Sequence, residues 1–184
     1  MMSQADLVTR IARVQSGDAD AWGELYQDLA PTVFRLCRRA LKTQEDAEDA
    51  TTEIFLKVRV KLGQYDCDRP FRPWLFKLAA NHCWDELRRR QRRGELGDID
   101  SLGVESPEPG PLARLLAEQR RQDVRGALAK LNDRDRLALV MRYYAELSYD
   151  EIADVLGITS TLVGVLLLRA RRRLRHMLID EGGA

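Results

Sequence analysis

Between Gly94 and Pro111 the chain holds seven glycines or prolines and five carboxylates, no base and few large apolar side chains. Such a stretch cannot bury enough apolar surface to offset the entropy of ordering it, and it is expected to be a linker. The pieces it leaves, 1–93 and 112–184, are each small but sufficient for a helical bundle. Both carry apolar residues at helical spacing, and neither contains the alternation and tight turns of a hairpin. An all-α protein follows: two small helical domains joined by an acidic Gly/Pro-rich linker.

In the first piece Leu7, Ile11 and Val14 mark one helix. A second begins at Asp18 or Asp20 and turns Trp22, Leu25, Tyr26, Leu29, Val33, Leu36 and Cys37 inward; Pro31 inside it predicts a kink or a split. Thr43 caps a third, whose first turns are acidic and whose inner face is Ala47, Ala50, Ile54, Val58 and Leu62. A fourth spans about Pro73 to Arg93. In the second piece a helix covers roughly Leu112–Leu131, and Asn132 or Asp133 caps the next. Ser148 and Glu151 form a capping box. Gly157 supplies a turn, and Thr159 or Ser160 caps a long last helix ending near Ile179. A short helix, a glycine turn and a second helix running into arginines is a helix-turn-helix pattern, which places its second helix in the DNA major groove.

The net charge of +1 conceals a sorted distribution. Residues 44–53 hold five acids and no base, the linker five more, while arginines crowd 88–93 and 169–175. An acidic face and two arginine clusters predict two kinds of partner, a basic protein surface and a polyanion. Three cysteines without paired spacing, and no apolar run long enough for a membrane span, predict a cytoplasmic protein that does not insert into membranes. With two histidines and no glycine-rich phosphate loop, no enzyme activity and no cofactor are expected. Cys67, His82 and Cys83 make a poor metal site, because neighbouring helical positions point about 100° apart.

Two sets of residues resemble the sigma-70 family, in particular its two-domain extracytoplasmic-function (group four) sigma factors. In the first piece they are Glu45 to Lys57, Phe71 to Asn81 and Asp85 to Arg89. In the second they are Leu131, Arg142 to Tyr144, Leu147 to Ala153 and Leu156 to Ile158. The resemblance implies that 1–93 acts as sigma domain 2, binding core RNA polymerase and recognising and melting the −10 element. It implies that 94–111 is the linker and that 112–184 is sigma domain 4, whose helix-turn-helix meets the −35 region. The positions matching the polymerase contact are Asp46, Asp49, Thr52, Glu53 and Phe55. For −10 DNA they are Phe71, Trp74, Lys77, Asn81, Arg88 and Arg89, a mixture of aromatics for unstacked bases and cations for phosphates. Trp74 also suits a core role, and Asn81 is the better reader of a base edge. For −35 DNA the candidates are Ser160, Thr161, Arg169 and Arg172. An anti-sigma factor or other regulator is a further implied partner.

Two positions depart from the family pattern. Thr52 stands where glutamine is usual. After Ile158, outward positions expected to hold lysine, serine and arginine are Gly164, Val165 and Leu166, which forfeit phosphate contacts and counterion release. That apolar stretch predicts a protein surface over 162–168: a regulator, the first domain in a closed form, or a second copy. It keeps open an alternative, a non-initiating sigma-like interaction module, and beside it a stand-alone helix-turn-helix repressor.

Overall fold

The computed structural model describes residues 4–67, 69–94 and 123–181, and among these there is helix but no strand. The order is α1 (Gln4–Gln15), α2 (Ala19–Ala40), α3 (Gln44–Lys61), a short 3-10 turn (Leu62–Gln64) and α4 (Phe71–Arg93), then α5 (described over 123–130), α6 (Asp133–Tyr143), α7 (Tyr149–Leu156) and α8 (Ser160–Glu181). The expected linker beyond Gly94, and the first half of the helix expected from Leu112, lie outside the described residues.

Local signals place the helix starts. Asp18 accepts from the Ala21 N–H, Thr43 from Asp46 and Asn132 from Asp135, each closing one of the unpaired donors of a first turn. Ser148 and Glu151 form the reciprocal capping box. Thr159 Oγ1 accepts from the Leu162 N–H at 3.4 Å, so α8 begins at Ser160. Gly94 closes α4 and Gly157 closes α7, both in the left-handed region that only glycine enters without strain. Pro31 does not split α2, which runs unbroken for 22 residues. Leu25, Leu29, Val33 and Leu36 are buried on both sides of the proline and anchor both halves in the same core.

Helices α1–α4 pack around Ile11, Leu25, Val33, Ile54, Val58 and Leu75, and α6–α8 around Leu137, Met141, Leu147, Ile152, Val163 and Leu167. The two groups share one continuous apolar cluster, with α2 and α4 packed on α6 and α4 also on α7. No single helix among the described residues is long and apolar enough to cross a membrane.

Candidate polymerase and nucleic-acid interfaces

Helix α3 is two-faced. Ala47, Ala50, Ile54 and Val58 are buried, while Asp49, Thr52 and Glu53 are exposed. At 100° per residue, Asp49, Glu53, Leu56 and Val60 fall in one stripe about 60° wide. Leu56 is 61% exposed and Val60 80%, so the acidic ridge continues into two bare apolar side chains. Sequence reading missed this pair, although the signal was present: neither residue belongs to the inner stripe.

Two of the candidates lie elsewhere, and Thr52 stays beside the ridge. Phe55 is buried, edge-on to Tyr26 and Trp22; it supports the helix and offers no surface to a partner. The two oxygens of Asp46 accept from the Arg90 guanidinium of α4, an internal pair 44 positions apart in the chain. Burial pushes the Asp46 carboxyl upward, but the hydrogen bonds from Arg90 and Thr43 outweigh it and hold the group below the ordinary carboxylate range. Arg90 is correspondingly raised, chiefly by its hydrogen bonds to Asp46. Thr52 is exposed, its hydroxyl donating back to the Glu48 carbonyl at 3.1 Å.

On α4, Phe71 is fully buried, its ring 5.1 Å from Tyr65 and 5.2 Å from Trp74. It cannot serve as a platform for a base and is a core residue. Trp74 is half-buried in the same cluster. Asn81, Arg88 and Arg89 are exposed. Trp74, Lys77, Leu78, Asn81, His82 and Asp85 line one wall of a groove whose other wall is Lys57 and Lys61 of α3. Two lysines stand across this groove from the half-buried Trp74 and the Asn81 amide, with the Asp85 carboxylate on the same wall; cations, an aromatic and an amide are the groups that hold a phosphate backbone and an unstacked base.

His82 lies beneath the groove, buried. Lys57 Nζ is 2.6 Å from Nδ1, and an ammonium has only donors, so Nδ1 accepts and the ring proton sits on Nε2, 3.7 Å from Glu53. Burial, and then the Lys57 charge, push the imidazole below its ordinary value, with Glu53 opposing. His82 therefore stays neutral and braces Lys57.

In the second group, α7, the Gly157 turn and α8 form the expected helix-turn-helix. Thr161, Arg169 and Arg172 are exposed, whereas Ser160 is half-buried and donates to Asp150. Leu166, expected to face outward with Gly164 and Val165, is buried: it lies about 60° from Val163, on the flank of the stripe formed by Val163, Leu167, Ala170 and Leu174. Gly164 faces the Tyr149 ring, 3.6 Å from where a Cβ would stand. The exposed apolar side chains are Leu162, Val165 and Leu168. A shallow groove continues from Leu168 past Arg171, Arg172 and Arg175 to Leu178 and Ile179.

Comparison with known families matches residues 25–93 to sigma-70 region 2 and residues 121–174 to sigma-70, region 4. The ECF RNA polymerase sigma factor SigW of Bacillus subtilis is 29% identical, over 93% of this chain and 96% of its own length. The RNA polymerase sigma factor CnrH of Cupriavidus metallidurans is 30% identical over 91% of both. The chain is an extracytoplasmic-function sigma factor of the sigma-70 family. As such it is an alternative sigma factor, a transcription initiation factor that directs RNA polymerase to promoters. CnrH in complex with the cytosolic domain of CnrY has the same architecture, at TM-score 0.61 and 26% identity over 94% of this chain and 97% of that one. The sigma factor RpoE from Bartonella quintana, solved with the anti-sigma factor NepR, shares the fold at TM-score 0.64 and 22% identity over 84% of this chain and 96% of that one. The region 2 match spans the acidic ridge and the α3–α4 groove, and the region 4 match spans the helix-turn-helix.

Proposed function

We propose that this sigma factor divides its work among three surfaces. Asp49, Thr52, Glu53, Leu56 and Val60 dock core RNA polymerase: the carboxylates steer and orient a basic partner, and the two apolar side chains supply the desolvated anchors. Residues 1–93 act as sigma domain 2, in which Trp74, Lys77, Asn81, Arg88 and Arg89 hold the opened −10 strand. Residues 112–184 act as sigma domain 4, with Thr161, Arg169 and Arg172 toward the −35 region and Ser160 behind them, and 94–111 tethers the two. The protein works without a cofactor or covalent chemistry, in the cytoplasm where its polymerase is.

The observation that carries the reading is the two-faced α3, whose acidic and apolar outer stripe is exposed and contributes no side chain to the buried core, Glu53 touching it only at His82. Leu162, Val165 and Leu168 add a second reading for α8. Flanked by Arg169, Arg171, Arg172 and Arg175, they suit the apolar face of an acidic amphipathic helix, the surface of a protein regulator of the anti-sigma kind. CnrH, solved with a cytosolic partner domain, is a precedent for a bound protein.

The test is transcription of fragmented genomic DNA by purified core polymerase with and without this protein, sequencing the 5′ ends. New starts sharing a common −10 element are expected. An unchanged set of starts refutes promoter direction and leaves the non-initiating module.

A further inference from the structure

The α3–α4 groove is braced from outside the region 2 match. Its walls are Lys57 and Lys61 on α3 and the row from Trp74 to Asp85 on α4. The chain leaves the first wall through the 3-10 turn Leu62–Gln64 and Tyr65. Gly63, Gln64 and Asp66 are exposed there, so their own side chains do little to fix the turn. Gln15 does so from a distance. It is the last residue of α1 and lies before the matched stretch 25–93.

The Gln15 Nε2 donates to the Leu62 carbonyl at 2.8 Å and to the Tyr65 carbonyl at 3.2 Å, partners 47 and 50 positions away in the chain. Cys67 Sγ donates to the Oε1 of the same amide at 3.8 Å. Each grip bears on one wall. Leu62 follows Lys61 directly, so holding its carbonyl holds the end of α3 that carries the groove lysines. The Tyr65 ring is buried and lies 5.1 Å from both Phe71 and Trp74, and its hydroxyl donates to the Arg69 carbonyl. Holding the Tyr65 carbonyl therefore steadies the aromatic cluster in which Trp74 sits.

We propose that Gln15 is a positioning residue for promoter opening, its amide fixing the spacing between the α3 lysines and the Trp74 and Asn81 wall. The Leu62 carbonyl also accepts from the Tyr65 N–H at 3.1 Å, and both Gln15 bonds are only part-buried. Water can replace the amide at both oxygens, so its loss costs the fold little and acts on the freedom of the turn. The role rests on the assignment of this groove to the −10 strand.

The test uses the full chain with core polymerase, on a promoter found by the transcript-start experiment and labelled with 2-aminopurine in its −10 element. The fluorescence rise at saturating holoenzyme gives the opening rate of bound complexes. Alanine, glutamate and lysine are all good helix formers, so a role confined to α1 predicts three similar variants. Positioning predicts an order. Gln15→Ala should open the promoter about threefold to tenfold more slowly, the range a pair of exchangeable hydrogen bonds carries. Gln15→Glu keeps the shape but turns an acceptor on two carbonyls, and should be slower still. Gln15→Lys brings an ammonium with three donors to an exposed position and should restore most of the rate. Core polymerase affinity should be the same for all three. An opening rate for Gln15→Ala equal to wild type overturns the proposal, as does a Gln15→Lys rate no faster than that of Gln15→Ala. Asn81→Ala is the control. If it slows opening while the Gln15 variants do not, the positioning role alone falls; if it also opens at the wild-type rate, the groove assignment falls with it.

Discussion

Replacing Asp46 by alanine separates a structural carboxylate from the carboxylates proposed to dock polymerase, one and two turns along the same helix. Asp46 and Arg90 are only 15% and 25% exposed in their side chains, and the guanidinium engages both carboxylate oxygens. A charge-assisted hydrogen bond contributes about 1.5–3 kcal/mol, and breaking a fully buried ion pair costs about 3–5 kcal/mol. Partial solvent access and the remaining Arg90–Glu86 contact at 3.1 Å place the loss at about 2 kcal/mol. For a chain of this size that lowers Tm by about 4–8 °C. Because the Asp46 carboxyl is held below its unfolded value, its contribution is complete above the unfolded carboxylate pKa of about 3.9 and is lost as pH falls through the lower folded value. Thermal unfolding followed by circular dichroism should therefore show a gap between wild type and variant at pH 7 that narrows below about pH 4. Core polymerase affinity, by fluorescence anisotropy, should be unchanged. An unshifted Tm combined with lost polymerase binding would refute the reasoning.

Phe71→Ala should act through folding, lowering stability by about 3–5 kcal/mol in urea denaturation, because Phe71 is a core residue. Gly164→Ala should raise stability by about 0.5–1 kcal/mol, since the new methyl meets Tyr149 at an ordinary distance; a lower denaturation midpoint would contradict the packing. His82 has a lowered folded pKa, so the unfolded chain binds more protons as pH falls below about 6.5. Stability should decline there, and the His82→Gln variant should lose that part of the slope. Asn81→Ala should change which −10 sequences support initiation in a randomised promoter pool, and an unchanged preference would remove it from the reading surface.

What the sequence discloses here is local. Asp18, Thr43, Asn132, Ser148 with Glu151, Gly157 and Thr159 each act within a few residues of themselves, and each sits where its chemistry predicts. The inner faces of α3 and α8 follow from helical spacing in the same way, and so does the helix-turn-helix. Asp46 is acidic and on the expected helix, but its partner Arg90 is brought to it by the α3–α4 packing, which no local pattern encodes. Phe55 and Phe71 have the right chemistry for contact surfaces and are consumed by the core. Leu166 is the narrowest case, because a 60° displacement from the centre of the stripe decides whether a leucine is flank or surface. The meeting of Tyr144 with Thr32 spans 112 positions and depends on how two bundles settle together.

The acidic and apolar ridge of α3 as the polymerase latch is the claim on which the other assignments depend. Its most direct test is the equilibrium affinity of core RNA polymerase for the wild type and for a variant carrying Asp49→Lys and Glu53→Lys. Both side chains are exposed, so the variant should keep its fold. A loss of affinity of at least about tenfold, on the order of 1.4 kcal/mol, is predicted. Undiminished affinity in a folded variant would contradict it.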